Sequence, residues 1–305
     1  QEQVGRAGVE SYLSLGYVPS DEHGGSVSRT QEFAIADGAI AEWAQALGRE
    51  AEATEFQGRA ESYKNLYDAE TGFFRGRKAD GSFSEPAADF EELDWDHPDT
   101  TEGTAWQYLW LAPQDPAGLM ELMGGSEAFA ERLEAFFSTP EPEDPLSEFL
   151  PKRYYWHGNE PDIHAAYLFN DAGRPDLAQY WARHVMDSRY GTGADGLSGN
   201  DDCGTLSAWY VFSASGFYPN AGHVRYWIGS PLFERVVFEL ETGGSFEVRA
   251  LGADDEHLYV LGSLLAGQPL GEPFFDHGQI AAGGVLELEM SNLPGKNWKQ
   301  QAAAP

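Results

Sequence analysis

The sequence predicts a mainly α-helical protein that closes with a small antiparallel β region. Between residues 33 and 47, Phe33, Ala36, Ile40, Trp43, Ala44 and Leu47 recur at the spacing of one helix face, and comparable stripes return as far as Val185. Beyond Pro219 the period changes. VVFEL, SFEVRAL, HLYVLGSL and VLELEM are short runs of β-branched and alternating residues, separated by the turns TGG, ADDE, AGQP and AAGG. A single change of period divides the chain into a helical part, 1–221, and a β part, 222–305, packed on it.

Taken in order, residues 8–16 (GVESYLSLG) read as the end of a helix cut off from its beginning. A Gly/Ser-rich loop follows, then the stripe from Phe33 to Leu47, with Ser28 or Thr30 as candidate caps and Gly48 as its end. Phe56, Ala60, Tyr63 and Tyr67 mark a second helix, and the short connection favours an antiparallel hairpin. Residues 71–101 are loop-like and carry turn residues, acids and aromatics. TEGTAWQYLWLAP places Glu102 on the threshold of a helix so aromatic that it must be buried. Asp115 and Pro116 start a short helix ended by Gly124, and Ser126 caps another with Phe129, Leu133, Phe136 and Phe137 on one face. A Pro- and acid-rich connection, TPEPEDP, leads to KRYYWHGNEPDIHAAYLFN, in which Pro161 favours a helix start. A helix around Leu177, Trp181 and Val185 precedes a glycine-rich acidic loop.

Composition narrows the function classes. With 305 residues and 42% apolar content the chain can bury a sizeable core. Fifty acids against nineteen bases give a net charge of −31, which repels phosphate backbones and anionic lipid surfaces, so nucleic acid and membrane insertion are poor partners. Cys203 is the only cysteine and allows no intrachain disulfide. No apolar run is long enough to span a bilayer, and the first residues lack the basic start and apolar core of a signal peptide.

Chemistry concentrates in three places. GLSGNDDCGTLSAWYVFSASGFYP (196–219) joins the glycine-rich loop to an aromatic helix, with Asn200, Asp201 and Asp202 at the junction. One aspartate there is explained by capping, because a helix N-terminus offers unpaired N–H groups. The second adjacent acid favours catalysis or metal binding. His157, Asn159, Glu160, Asp162 and His164 fall within eight positions, and the oxygen donors Asn159 and Glu160 suit calcium better than zinc. Structural, hydrogen-bonded histidines remain the alternative. On the long loop, Trp95 and His97 could line a sugar site or simply pack. Glu102 is either a favourable first-turn charge or a functional acid.

TEGTAWQY (101–108), WHGNEPDIHAAYLFN (156–170) and the 196–219 segment resemble the signature segments of glycoside hydrolase family 92, the calcium-dependent exo-acting α-mannosidases. GYVPSDEHGGSVSRTQEFAIAD near the start, LMGG at 122–125 and IGSPLF at 228–233 agree in order, so the resemblance covers nearly the whole chain. It implies an (α/α)6 barrel, of which residues 1–221 would be the C-terminal portion. In family members a β-sandwich domain and further barrel helices precede this part, and those would be partners of the present chain. It also implies an inverting reaction on a terminal α-mannoside of an N-glycan or mannan, outside the cell, in the periplasm or at the cell surface. Glu102 would be the general acid and Asp202 the general base; many relatives carry an acid where this chain has Asn200, leaving open whether Asp201 or Asn200 assists. Asn159, Glu160 and Asp202 would hold calcium. Trp95, Trp156, His157 and Asn200 would contact the sugar.

Inversion requires the acid and base to stand about 6.5–9.5 Å apart so that a water fits between base and anomeric carbon. The apolar neighbourhood of Trp106 and Tyr108 is expected to keep Glu102 protonated. Two other classes compete: an inert carbohydrate-binding barrel and an α/α-barrel polysaccharide lyase. The carboxylate-rich segments favour hydrolysis over the Lys, Arg or Tyr chemistry of a lyase.

Overall fold

The computed structural model describes residues 5–141, 152–241, 243–295 and Trp298. The described residues are 38% helical with a small mixed β region. It divides into two compact units, residues 1–163 with 221–223, and residues 164–220 with 224–305. The division does not follow the change of period at 222, because the last two long helices belong with the strands.

In the first unit, α1 (Val9–Leu15) is a short helix that starts after Gly8 and ends at Gly16, both in the left-handed conformation. The long helix α2 (Ser26–Ala46) starts after Gly25. Neither Ser28 nor Thr30 caps it. The Thr30 hydroxyl donates to the Ser26 carbonyl and accepts from Val18 N, while Ser28 Oγ accepts from Thr101 N. The free N–H groups of its first turn go to another segment: Gly25 N and Val27 N donate to the carbonyls of Pro98 and Asp99. α3 (Glu50–Ala60) packs back against α2 as the expected hairpin. The second stripe does not continue as one helix. A 3-10 turn (Ser62–Leu66) follows, and Tyr67 enters β1 (Tyr67–Asp68), which pairs antiparallel with β2 (Phe73–Phe74).

The 71–101 segment is a loop, as its composition predicts, but an anchored one. Buried Arg75 pairs with Asp68 and lies over Phe90, and Asp99 accepts from Ser84. The aromatic segment after Glu102 forms only one turn, α4 (Ala105–Tyr108), closed by a Thr104/Gln107 capping box. Its burial is as predicted even though its length is not: Leu109, Trp110 and Ala112 are inaccessible to solvent. α5 (Pro116–Leu122) starts as the sequence implies, with Asp115 accepting from Gly118 N and proline in the first turn. α6 (Ser126–Ser138) is preceded by Gly125, so Ser126 is its first residue and not its cap. Trp110 packs edge-on against Phe129, 5.4 Å between ring centroids, and beside Phe136 at 5.5 Å. Trp110→Ala is therefore expected to cost about 3–5 kcal/mol, checked by denaturant titration of the variant against the parent. Of the TPEPEDP connection, residues 142–145 lie outside the described residues.

Pro161, near the end of the first unit, is followed not by an α-helix but by turns, and the second unit opens on a 3-10 helix (Ala165–Phe169). α7 (Pro175–Arg189) and α8 (Thr205–Ala214) follow, and then the strands. β3 (Phe217–Pro219), β4 (Arg225–Ile228) and β9 (Phe274–Asp276) make one antiparallel sheet in the order β3-β4-β9. β5 (Arg235–Glu239), β6 (Ser245–Arg249), β7 (Tyr259–Leu265), β8 (Gln268–Pro269) and β10 (Gly284–Ser291) make another in the order β5-β6-β10-β7-β8. The β region is thus mixed in direction: β10 runs parallel to β6, with Leu286 opposite Val248, while its other neighbour β7 is antiparallel. Phe217, Phe246, Val260, Phe275 and Leu286 fill the core of these sheets, and Trp298 anchors there by donating to the Leu270 carbonyl. The rest of the tail after residue 298 lies outside the described residues.

Candidate active site

Glu102 is placed by what precedes and follows it. The chain at 98–101 is tied to the start of α2, and Tyr108 OH donates to the Thr101 carbonyl at 2.6 Å. Immediately after, Thr104 and Gln107 lock the α4 turn. Between these fixed points Glu102 takes a left-handed backbone, φ 50°, which a side chain other than glycine adopts only at a cost. Gly103 is required beside it, since a Cβ there would stand 2.9 Å from the Tyr108 ring. The Glu102 side chain is exposed, so the apolar burial expected from Trp106 and Tyr108 is not found. Trp106 instead contacts Phe73, Phe136 and Tyr154, and the Arg132 guanidinium lies over its ring.

The second signature segment is attached to the first. Gln107 Nε2 donates to the carbonyls of Lys152 and Tyr154, and Thr104 Oγ1 donates to that of Arg153. This brings Asn159 to Glu102, where its Nδ2 donates to the Glu102 carbonyl. Asn159 Oδ1 and the exposed Glu160 carboxylate are left as oxygen donors of the type calcium takes. Among the described residues no group of three or more His, Cys, Asp or Glu is arranged as a ready metal cage. His157 is fully buried, with Nδ1 2.6 Å from Tyr155 OH, so it supports this loop from within. Asp162 is buried too and accepts from Trp156 N. Trp156 meets Trp95 edge to face at 5.6 Å, uniting two of the residues singled out for sugar contact. Trp95, Phe90, Glu92, Asp96 and Arg153 line a cavity of about 590 Å³. His97 faces Glu85 and accepts from Asp99 N, so it is a bracing residue of this loop.

One carboxylate in this region carries no signal in the sequence: Glu32 follows Arg29, Thr30 and Gln31 and reads as one more polar position of a helix. Burial first and the charge of Glu160 second push the carboxyl of Glu32, on α2, up, and both Glu32 and Glu102 add to the rise of the Tyr108 hydroxyl, which burial first of all pushes up to about 12.

In the second unit the glycine-rich loop closes on itself: Gly191 N donates to the Gly196 carbonyl, and a Cβ at Gly196 would lie 2.2 Å from the Gly191 oxygen. Gly196→Ala is expected to break this closure, seen as faster amide exchange around 191–196. The loop borders a cavity of about 600 Å³ lined by Tyr190, Gly191, Leu197, Ser207 and Tyr210. The helix expected near Asp202 starts at Thr205. The two aspartates have separate tasks. Asp201 accepts from the Ser207 hydroxyl and the Ser207 N–H, which together hold its carboxyl below the usual range, so Asp201 is the acid that satisfies the helix start. Asp202 engages the helix through its main-chain carbonyl, which accepts from the Thr205 hydroxyl, and its side chain is exposed, as is Asn200. Asp202 and Cys203 are left-handed, φ 37° and 60°. Among the described residues the only other non-glycine positions with positive φ are Glu102 and Ala266.

Residues 1–292 match the family described as the glycosyl hydrolase family 92 catalytic domain. Among solved structures, a family GH92 α-mannosidase of Bacteroides thetaiotaomicron in complex with mannoimidazole superposes with a TM-score of 0.88 at 36% identity, covering 97% of this chain and 40% of that one. A family GH92 inverting mannosidase of the same organism gives 0.85 at 37% identity, covering 99% and 42%. An uncharacterised secreted glycosidase of Arthroderma benhamiae is 28% identical over 94% of this chain and 39% of its own length. The chain therefore spans about two-fifths of the relatives it matches, and its helical and β parts are those of their barrel and β region. With its family profile matched over nearly its whole length, this chain belongs to glycosyl hydrolase family 92.

Proposed function

We propose that this chain carries the acid and the base of an exo-acting α-mannosidase that releases terminal mannose from a glycan with inversion. The observation that carries the reading is backbone strain: Glu102 and Asp202, exposed acids in two different signature segments, are the two acids among the described residues held in left-handed conformations. Glu102, as the acid, donates its proton to the glycosidic oxygen as the bond from that oxygen to the anomeric carbon breaks. Asp202, as the base, takes a proton from a water whose oxygen attacks the anomeric carbon from the opposite face, so the first product is β-mannose. Asp201, with Asn200 beside it, holds the loop that presents the base. Trp95 and Trp156 offer aromatic surface for the apolar face of a pyranose, and buried His157 braces the same segment through Tyr155.

Asn159 Oδ1, the Glu160 carboxylate and Asp202 would hold calcium, with water and sugar hydroxyls completing a shell larger than three protein oxygens. Bound there, the ion would supply a Lewis-acid contact to ring hydroxyls of mannose. Secretion, to the medium, periplasm or cell surface, follows from the polymeric substrates and is supported by the secreted relative; no helix among the described residues is long and apolar enough to cross a membrane.

The test is incubation of the full-length protein with linkage-defined α-mannobioses, following the anomer first formed by NMR. Initial β-mannose is the expected product. Initial α-mannose, or no release from any linkage, would remove the reading. Chelation is expected to abolish turnover, with calcium restoring it more fully than magnesium, since a shell of side-chain, water and sugar oxygens exceeds the six-coordinate octahedron magnesium demands. Undiminished turnover by rigorously calcium-free enzyme would take the metal out of the mechanism.

A further inference from the structure

α2 is buried on several sides over its first four turns. From Gly25 to Ala41 every residue is buried or half-buried except one, Glu32, which is exposed. Its neighbours Gln31 and Phe33 are both buried, Gln31 by donating to the Tyr108 carbonyl at 2.9 Å. Glu32 lies one turn beyond Ser28, on the face whose Ser28 hydroxyl receives Thr101 N. That face therefore borders the segment carrying Glu102. On the same side stands Glu160, one residue from the Asn159 that donates to the Glu102 carbonyl. Glu32 is thus an opening in an otherwise enclosed helix, set among the residues that position the acid.

From this placement we propose that Glu32 is a further substrate-binding residue, its carboxylate accepting a hydrogen bond from a ring hydroxyl of the terminal sugar. The inference rests on the mannosidase reading and adds to it a sugar contact from α2. A carboxylate whose neighbours along the helix are all buried or half-buried has lost part of its hydration and gains from a hydroxyl donor. In agreement, burial first and Glu160 second push the Glu32 carboxyl up. No substitute role in the fold competes: α2 is held by Gln31, Ser28 and its apolar faces, not by Glu32.

The experiment compares the full-length parent, Glu32→Ala and Glu32→Gln on an α-mannoside and on its 2-, 3-, 4- and 6-deoxy analogues. Removing a hydrogen bond to a charged group is expected to lower kcat/KM on the complete sugar by roughly 10–100-fold for Glu32→Ala, and by less for Glu32→Gln, whose carbonyl still accepts. On one deoxy analogue, the one lacking the bound hydroxyl, the loss should shrink to about twofold, because the partner is already gone. Unchanged kcat/KM in both variants, or the same loss on all analogues, would overturn the inference while leaving the mannosidase reading in place. A parent inactive on every mannoside would overturn both. Should Glu32→Ala fail to fold, the isosteric Glu32→Gln carries the same comparison across the analogues.

Discussion

Glu102→Gln is expected to slow release of mannose from a natural α-mannoside by roughly 10²–10⁴-fold, the range for losing a general acid. The variant is isosteric, and what fixes this residue is main chain: the Asn159 amide on its carbonyl, Gly103 after it and the Thr104/Gln107 turn beyond. The loss should therefore report proton transfer and not collapse of the loop. A good leaving group needs little protonation, so an activated aryl α-mannoside should be cleaved by Glu102→Gln with a far smaller loss. Equal losses on the two substrates would take the proton-donor role away from Glu102.

Much of this arrangement was legible in the residues because the signals are local. The stripe from Phe33 to Leu47 and the alternation after Pro219 gave helix and strand, and Asp115-Pro116 gave a correct helix start. Where the reading failed, a distant partner had overridden a local preference. Ser28 and Thr30 look like caps, but their hydroxyls are taken by Thr101 N and by Val18 N. TEGTAWQYLWLAP has the apolar density of a long buried helix, yet its single turn is closed by Gln107, whose side chain is also committed to the chain at 152–154. The parallel pairing of β10 with β6 left no trace, since alternation says which face is buried and not which strand lies alongside.

The candidate site was legible in its residue types and not in its strain. A left-handed backbone is announced in sequence when glycine occupies it; at Glu102, Asp202 and Cys203 it is imposed on ordinary side chains by the anchored chain on either side. Nor could the sequence divide the labour between two adjacent aspartates. That division appears only when the Ser207 hydroxyl and N–H are seen to belong to Asp201. Glu32 escaped because one charge on a helix is ordinarily a solvated position, and its meaning comes from the burial of everything around it.

The separation of the two aspartates makes the remaining large effect testable. Asp202→Asn is expected to lower turnover by roughly 10²–10⁴-fold, as for loss of a general base, and to do so on the natural and the activated mannoside alike, because attack of water is needed whatever the leaving group. The start of α8 should survive, since the Asp202 contribution is its main-chain carbonyl and the capping carboxylate is that of Asp201. Circular dichroism and thermal unfolding should accordingly match the parent. Because Asp202 is also proposed to touch calcium, bound metal is measured on the same samples, and rates are taken again at saturating calcium. Full metal content with slow turnover on both substrates identifies the base; recovery of activity by added calcium alone would instead assign Asp202 to holding the ion. A parent-like rate on both substrates, with calcium unchanged, would exclude Asp202 from the chemistry altogether.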